Sequence, residues 1–251
     1  MSELTRYDVT LSTQQVDTVL SYASATNPSF RNVLLSRFTT DDPSSLTTEI
    51  SHPNVDNVCN AVFFLTLRHN EHPNQVLELV LKIILPRYKT IKTLNEVKVM
   101  QFLWEHVRCV KCPQIFTFDL EGSVMGYEFI LMERVKGIPL SQIYESLSFE
   151  EKKSYMEQLS QIRKAISDVK FKFKDMEGTP HVTLFGNIHE ITVNDNVAEV
   201  TVGPNVDGEG PFTSFSEFIV SQMEERLEAL ENTQNGRFLE FKPYFESMVN
   251  E

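Results

Sequence analysis

The residue pair with the clearest chemical potential in this sequence is Lys82 and Glu96. Lys82 interrupts the segment Gln75 to Leu85, which is otherwise largely apolar. An ammonium group in such a segment is costly unless an anion compensates its charge. Glu96 follows in a segment of helical periodicity and can supply that anion. A lysine held in this way can bind the phosphates of a nucleotide.

These two residues need a strand and a helix to position them. Asn60 to Arg68 and Gln75 to Leu85 are rich in Val, Ile, Leu and Phe around a polar turn, which predicts an antiparallel hairpin. Thr90 to Val107 has helical spacing, and Ile115 to Asp119 and Tyr127 to Glu133 predict two more strands. The predicted buried face of the helix is Ile91, Leu94, Val97, Leu103, Trp104 and Val107.

Helices dominate the prediction for the second half of the chain. Capping boxes, which start helices, occur at Ser148 to Glu151 and at Ser214 to Glu217. Ile188 to Val202 is the strand signal that we identify between them. The predicted apolar side of the first helix is Tyr155, Leu159, Ile162, Ile166 and Val169.

A strand lysine paired with a carboxylate on the next helix holds the α- and β-phosphates of ATP in kinase folds. The segment Phe129 to Leu140 extends this pattern, since a buried strand there ends in a polar connector that leads to helices. In kinase folds that connector is the hinge beside adenine. The alternative for Lys82 is a lysine that extends from a strand edge to water.

The order and spacing of these segments resemble the aminoglycoside phosphotransferase and choline kinase family over about residues 46 to 240. The matching segments are Asn60 through Lys82, Glu96, Pro113 to Asp119, Tyr127 to Glu133, Gly137, Phe185-Gly-Asn-Ile and Gly210 to Phe218. The resemblance implies an α+β, protein kinase-like fold, in which an antiparallel-sheet N-lobe precedes an incomplete, mostly helical C-lobe. We expect a helical lead-in over 1–45, the N-lobe over 46–135 and a partial C-lobe over 136–251.

The resemblance also implies roles for individual residues. Lys82 would hold ATP phosphates and Glu96 would orient Lys82. The backbone of Glu133 and Val135 would hold adenine, and Met132 would line its pocket. The expected reaction is ATP-dependent phosphoryl transfer to the hydroxyl of a small molecule, with Mg²⁺ expected for the complete family domain.

Two departures from the family pattern limit this expectation. The loop from Ser51 to Asn60 contains no glycine, so backbone amides approach phosphates less easily. The catalytic His-Gly-Asp loop and the later metal-binding aspartate are not found, because none of the ten aspartates stands in such a setting. We therefore assign no catalytic residue and no metal ligand, and expect this chain alone to be inactive.

Two hypotheses of function follow. The chain is either a truncated product or fragment of a small-molecule kinase, or a non-catalytic kinase-like module that binds nucleotide or a partner protein. The net charge of −12 without a basic run argues against nucleic acid and anionic membranes as partners. The three cysteines and the lack of a signal-peptide pattern favour a cytoplasmic protein.

Other motifs carry weaker signals. No glycine precedes Gly122, which excludes a Walker A loop, a dinucleotide-binding motif and a glycine-rich kinase loop before that point. His106, Cys109 and Cys112 have zinc-like spacing but supply only three ligands, so ordinary thiols are favoured. His69 and His72 lie in the predicted hairpin turn, where we expect solvated side chains.

Overall fold

The computed structural model describes residues 9–52, 60–72, 74–85, 90–107, 109–194, 197–205 and 208–232. The chain divides into two compact units, and the boundary between them lies between Asp168 and Val169. The predicted division at residues 45 and 135 stays a prediction. Within the described residues, no helix has the length and apolar character needed to cross a membrane.

The first unit contains five helices and five strands among its described residues. The helices are α1 (Thr13–Thr26), α2 (Pro28–Phe38), α3 (Ile91–His106), α4 (Leu140–Ile143) and α5 (Phe149–Ser167). The strands are β1 (Leu46–Ser51), β2 (Asn60–His69), β3 (Val76–Ile84), β4 (Ile115–Asp119) and β5 (Glu128–Glu133). They form an antiparallel sheet in the order β1-β2-β3-β5-β4. The predicted hairpin is the β2–β3 pair, in which Val62 lies opposite Lys82.

One face of this sheet packs against α1 and α2. Both helices begin with well-formed caps: Ser12 and Gln15 make a capping box for α1, and Asn27 caps α2, which starts at Pro28. The resulting core joins helix and strand residues that are nearly all fully buried: Val16, Leu20, Phe30, Leu34, Phe38, Leu65, Leu67, Leu79, Leu81 and Ile83. Each such side chain contributes about 1.5–3 kcal/mol relative to exposure, so this face is the main source of stability.

The other face carries α3 and is only partly covered. Val97 of α3 packs in a small cluster with Ile84, Ile115 and Ile130. The predicted helix is present, but Trp104, predicted to be buried, is 45% exposed. The buried residues of α3 are Thr93, Val97 and Phe102. The helix therefore buries a narrower stripe of side chains than the sequence pattern predicts.

Helix α5 begins where the capping box predicts it. Ser148 and Glu151 exchange hydrogen bonds between each side chain and the other's backbone amide. The predicted apolar side of α5 is not buried, since no residue of this helix falls in the buried class and Leu159 is exposed.

The second unit contains a four-stranded sheet and a helix among its described residues. The strands are β6 (Lys170–Lys174), β7 (Pro180–His181), β8 (Asn187–Asn194) and β9 (Val197–Gly203), in the order β7-β6-β9-β8, and α6 spans Phe215–Asn232. Strands β8 and β9 account for the predicted strand signal. Strand β6 was not predicted, although its Lys-Phe-Lys-Phe-Lys alternation has the two-residue period of a strand.

The second unit brings two motif segments of the family resemblance together. Phe185 and Phe212 exchange two backbone hydrogen bonds of 2.9 Å each. Beside them, Gly186 approaches β9 so closely that a Cβ atom would lie 2.2 Å from the carbonyl oxygen of Gly203. Gly186 is therefore required for the close contact between these backbones.

Candidate functional site

The predicted contact between Lys82 and Glu96 is present. The Lys82 ammonium donates to both carboxylate oxygens of Glu96, at 2.6 Å to Oε1 and 2.7 Å to Oε2. Their side chains are 15% and 29% exposed, respectively. Such a partly covered ion pair adds little net folding free energy, about 0–1 kcal/mol.

Strand alternation gives Lys82 its direction. Leu81 and Ile83 point into the core under α1 and α2, so Lys82 points to the opposite face, where α3 lies. Its neighbours across the sheet are Val62 on β2 and Ile130 on β5. The lysine therefore lies between apolar side chains, with its ammonium directed to the helix.

The start of α3 is tied to β5 by Glu128. One carboxylate oxygen of Glu128 accepts from the Thr90 hydroxyl and the other from the Thr93 hydroxyl, each at 2.9 Å. Thr93 is only 1% exposed. Glu96 lies one turn further along α3. These bonds therefore fix the position of α3 on the sheet, and with it the position of Glu96 relative to Lys82. Local sequence patterns do not indicate this role of Glu128, because its partners are 35 and 38 residues away in the chain.

The connector after β5 is clamped by Glu78 of β3. Arg134 and Lys136 each place a side-chain nitrogen on a different carboxylate oxygen of Glu78, at 3.0 and 2.8 Å. The Arg134 guanidinium also lies 4.0 Å above the centre of the Phe64 ring. The hydrogen bond from Lys136, assisted by the charges of Lys136 and Arg134, lowers the pKa of Glu78 against the opposing effect of burial.

The backbone of the connector is partly used by the sheet. The Glu133 amide donates to the Gln114 carbonyl at 2.9 Å, and the Arg134 amide to the Glu78 carbonyl at 3.2 Å. Among the described residues, no backbone partner is found for the amide of Val135, which is exposed. Of the backbone groups at the two predicted adenine-contacting residues, the Glu133 amide is thus used by the sheet, whereas the Val135 amide has no backbone partner among the described residues.

A strip of half-buried apolar side chains lies on the same sheet face as Lys82. Phe64 pairs across the strands with Val80, and Val80 pairs with Met132. With Val62 they form an apolar surface beside the ammonium group that α1 and α2 do not cover. Met132 therefore lies on the same sheet face as Lys82.

A cavity of about 650 Å³ lies at the connector after β5. Its lining residues are Trp104, Val110, Lys111, Cys112, Glu133, Arg134, Val135 and Lys136. Lys82, Glu96 and Met132 do not line it. Burial raises the pKa of the Cys112 thiol, whose sulfur lies 3.6 Å from the Met100 carbonyl oxygen. Burial therefore favours the thiol of Cys112 over the thiolate.

Several described aspartates are committed to local hydrogen bonds. Asp119 accepts from the amides of Glu121 and Val124 at 3.0 and 2.8 Å and closes its own turn. Asp175 contacts His181 at 3.0 Å, and this hydrogen bond lowers the pKa of Asp175. Most of the predicted phosphate loop, residues 53–59, lies outside the described residues.

The sheet order, the helix inserted between β3 and β4 and the lysine–carboxylate pair define a kinase-like N-lobe. The model of the phosphotransferase enzyme family (APH) matches residues 54–201, which is more than half of the chain. The chain belongs to this family, as the resemblance implied.

Two curated proteins are similar to part of this chain. Both are subtelomeric hrmA-associated cluster proteins, from two strains of Aspergillus fumigatus, and each is 36% identical to this chain over 80 residues. The similarity covers 32% of this chain and 16% of each relative. The matched part therefore spans about a sixth of the length of these proteins.

Proposed function

We propose that the N-lobe of this chain binds ATP, with Lys82 on the phosphates and the connector after β5 on the adenine. The observation that carries this proposal is the two-oxygen contact of Glu96 with Lys82. An ammonium group has three N–H donors, and Glu96 occupies two of them. The third donor remains for a phosphate oxygen, and Glu96 keeps the lysine side chain extended toward it.

The adenine contacts are proposed from the connector and the apolar strip. The Glu133 carbonyl would accept from the amino group of adenine, and the Val135 amide would donate to a ring nitrogen. Met132, Val80 and Phe64 would contact the face of the ring, since a purine needs an apolar surface with few convergent polar groups. The Glu78 clamp supports this role because it holds Arg134 and Lys136, on either side of Val135.

Four described acidic groups of the N-lobe, those of Glu78, Glu96, Asp119 and Glu128, do not fit a magnesium site, because each already has partners. Glu96 is occupied by Lys82, Glu128 by two threonines and Glu78 by two cations. Asp119 is saturated by its own turn. Magnesium needs oxygen ligands that remain open to it. We therefore derive no catalytic step through Mg²⁺ in this chain.

We propose that this chain by itself binds nucleotide without transferring phosphate. The family reaction, phosphoryl transfer from ATP to a small-molecule hydroxyl, needs an aspartate beside the acceptor and carboxylates for the metal. The local commitment of Asp119 and Asp175 and the sequence settings of the remaining aspartates support this. The second hypothesis, a non-catalytic module that binds nucleotide or a partner protein, is favoured by the same observation.

Calorimetry with ATP tests the nucleotide site. Lys82→Met should weaken ATP binding at least about tenfold, because a charge-assisted hydrogen bond to phosphate is lost. Lys164→Met is the matched control, since Lys164 also pairs with a carboxylate, that of Asp168, at 2.7 Å, but on an exposed helix end. Equal affinity of the wild type and Lys82→Met, or no ATP binding by either, would contradict the proposal.

Turnover of Mg²⁺-ATP with a panel of small hydroxyl compounds tests the catalytic half of the proposal separately. We expect no turnover above that of Lys82→Met, together with ATP binding by the wild type. Phosphoryl transfer that depends on Lys82 would support the proposed nucleotide site. It would contradict the proposal that the isolated chain is inactive.

A further inference from the structure

The turn between β2 and β3 brings two histidines and a glutamate together. His69 is the last residue of β2, and Glu71 and His72 follow it in the turn. One ligand atom from each of the three side chains lies within 4.8 Å of the other two. The two imidazole rings are stacked, with centroids 5.2 Å apart and an angle of 26° between their planes.

The backbone of the turn is fixed by its own hydrogen bonds. The His72 amide donates to the His69 carbonyl at 3.2 Å, and the Gln75 amide to the His72 carbonyl at 2.9 Å. The Asn70 side chain, which lies between the histidines in sequence, is bonded to the Thr47 hydroxyl on β1. The turn therefore holds the three side chains near one another without burying them.

Two imidazoles and one carboxylate are a donor set suited to zinc. Zinc takes His nitrogens and carboxylate oxygens at about 2.0–2.2 Å in a tetrahedral arrangement, with a water in a fourth position where the protein supplies three ligands. Tetrahedral ligand atoms are then about 3.4 Å apart. Exposed side chains can cover the remaining distance by small rotations, which cost little compared with rotations in a packed core.

One existing hydrogen bond must change when the metal binds. The Glu71 amide donates to Nδ1 of His69 at 3.2 Å, a long bond at an exposed position. The metal can replace this donor at Nδ1, or it can take Nε2 of the other neutral tautomer. Either route exchanges one weak hydrogen bond for a metal–nitrogen bond.

We propose that His69, Glu71 and His72 form a binding site for a divalent transition metal ion, with Zn²⁺ as the ion bound. This differs from the expectation of solvated histidines. It also differs from the zinc-like spacing of His106, Cys109 and Cys112, which do not bring three ligand atoms together among the described residues. Zinc bound at this turn would stabilise the β2–β3 hairpin, because an ion that binds only the folded state raises the free energy of unfolding.

The proposed metal site is independent of the nucleotide site. Lys82 lies six residues beyond Val76, the first residue of β3, which corresponds to about 20 Å along the strand. Glu71 and His72 lie on the far side of Val76. A result at one site therefore leaves the proposal for the other unaffected.

Titration of the nucleotide-free chain with ZnCl₂ at pH 7.5 tests this proposal. We expect one Zn²⁺ per chain in calorimetry, a rise in the thermal unfolding midpoint, and at least about tenfold weaker binding in His72→Gln and in His69→Gln.

The double variant Cys109→Ser/Cys112→Ser is the control for the other zinc-like motif, and it should bind Zn²⁺ as the wild type does. The proposal is overturned if the wild type shows no saturable binding, or if His72→Gln and His69→Gln both keep the affinity of the wild type. It is equally overturned if only the cysteine variant loses binding.

Discussion

The two faces of the five-stranded sheet use alternate residues of the same strands for different purposes. On β3, Leu79, Leu81 and Ile83 are fully buried under α1 and α2. Val80 and Lys82, between them in sequence, are only half-buried and lie on the face that carries α3. One face thus stabilises the lobe, while the other carries the ion pair of Lys82 with Glu96. Substitutions on neighbouring residues should separate these two properties.

The largest effect on stability is expected on the face that α1 and α2 cover, which we call the closed face. Leu81→Ala should lower the free energy of unfolding by about 2–5 kcal/mol, because it removes a fully buried side chain and leaves a cavity. Denaturant unfolding followed by circular dichroism measures this. For the protein that remains folded, the affinity for ATP should be close to that of the wild type. A decrease in the free energy of unfolding of less than about 1 kcal/mol would show that α1 and α2 do not exclude solvent from this face.

A smaller effect is expected at Glu128, which ties the start of α3 to β5. Glu128→Gln replaces an acceptor oxygen by an amide donor opposite a buried threonine hydroxyl, which should cost about 1–2 kcal/mol of stability. Because α3 loses its anchor, ATP binding should weaken as well. Thr90→Val, which affects the more exposed of the two hydroxyls, should change both quantities less.

If Glu128→Gln reduces stability but leaves ATP affinity unchanged, Glu128 is a structural residue only. In that case Glu96 does not depend on the anchor of α3 for its contact with Lys82.

A still smaller effect on stability is expected on the opposite face, which carries Lys82 and α3 and which we call the open face. Val80→Ala should cost about 1 kcal/mol or less in the free protein, because Val80 is already partly exposed. If adenine lies on this strip, ATP affinity should fall by a similar free energy, roughly fivefold. Calorimetry on Val80→Ala beside Leu81→Ala provides the matched comparison. A loss of stability as large as that of Leu81→Ala would remove the distinction between the faces.

The smallest effect on stability is expected from the ion pairs of Glu78 with Arg134 and Lys136 on the open face. The pKa of Glu78 is lower in the folded state, chiefly through the Lys136 hydrogen bond, so the unfolded chain binds a proton first as the pH falls. The stabilising contribution is present above the ordinary carboxylate range and is lost as the pH falls through the folded pKa. Glu78→Gln should therefore be less stable than the wild type by about 0.5 kcal/mol at pH 7.

The difference between Glu78→Gln and the wild type should shrink below about pH 4. Thermal unfolding of both proteins at several pH values measures this. A difference that does not depend on pH would contradict a contribution from the ionised Glu78 carboxylate.

The sequence predicted the parts of the N-lobe that local patterns determine. The β2–β3 hairpin, α3 and the start of α5 follow from strand composition, helical spacing and a capping box, which act over a few residues. The contact between Lys82 and Glu96 was also predictable, because an ammonium within an apolar strand requires a nearby anion.

Features that depend on distant packing were not predictable in the same way. The exposure of Trp104 depends on which stripe of α3 meets the sheet, and the partners of Glu128 are set by the pairing of β5 with β3. Strand β6 was missed because its alternating lysines weaken its apolar signal. The cluster at the β2–β3 turn depends on backbone hydrogen bonds that histidine spacing alone does not indicate.

Glu78 and Lys82 lie on the same face of β3, four residues apart, so one strand carries both the clamp of the connector and the lysine of the ion pair. Extended backbone sets their separation at about 13 Å. In the proposed nucleotide site, this spacing would set the length of ligand that reaches both the connector and Lys82. A nucleoside without phosphates, or inorganic phosphate without a base, would then contact only one of the two, whereas ATP would contact both.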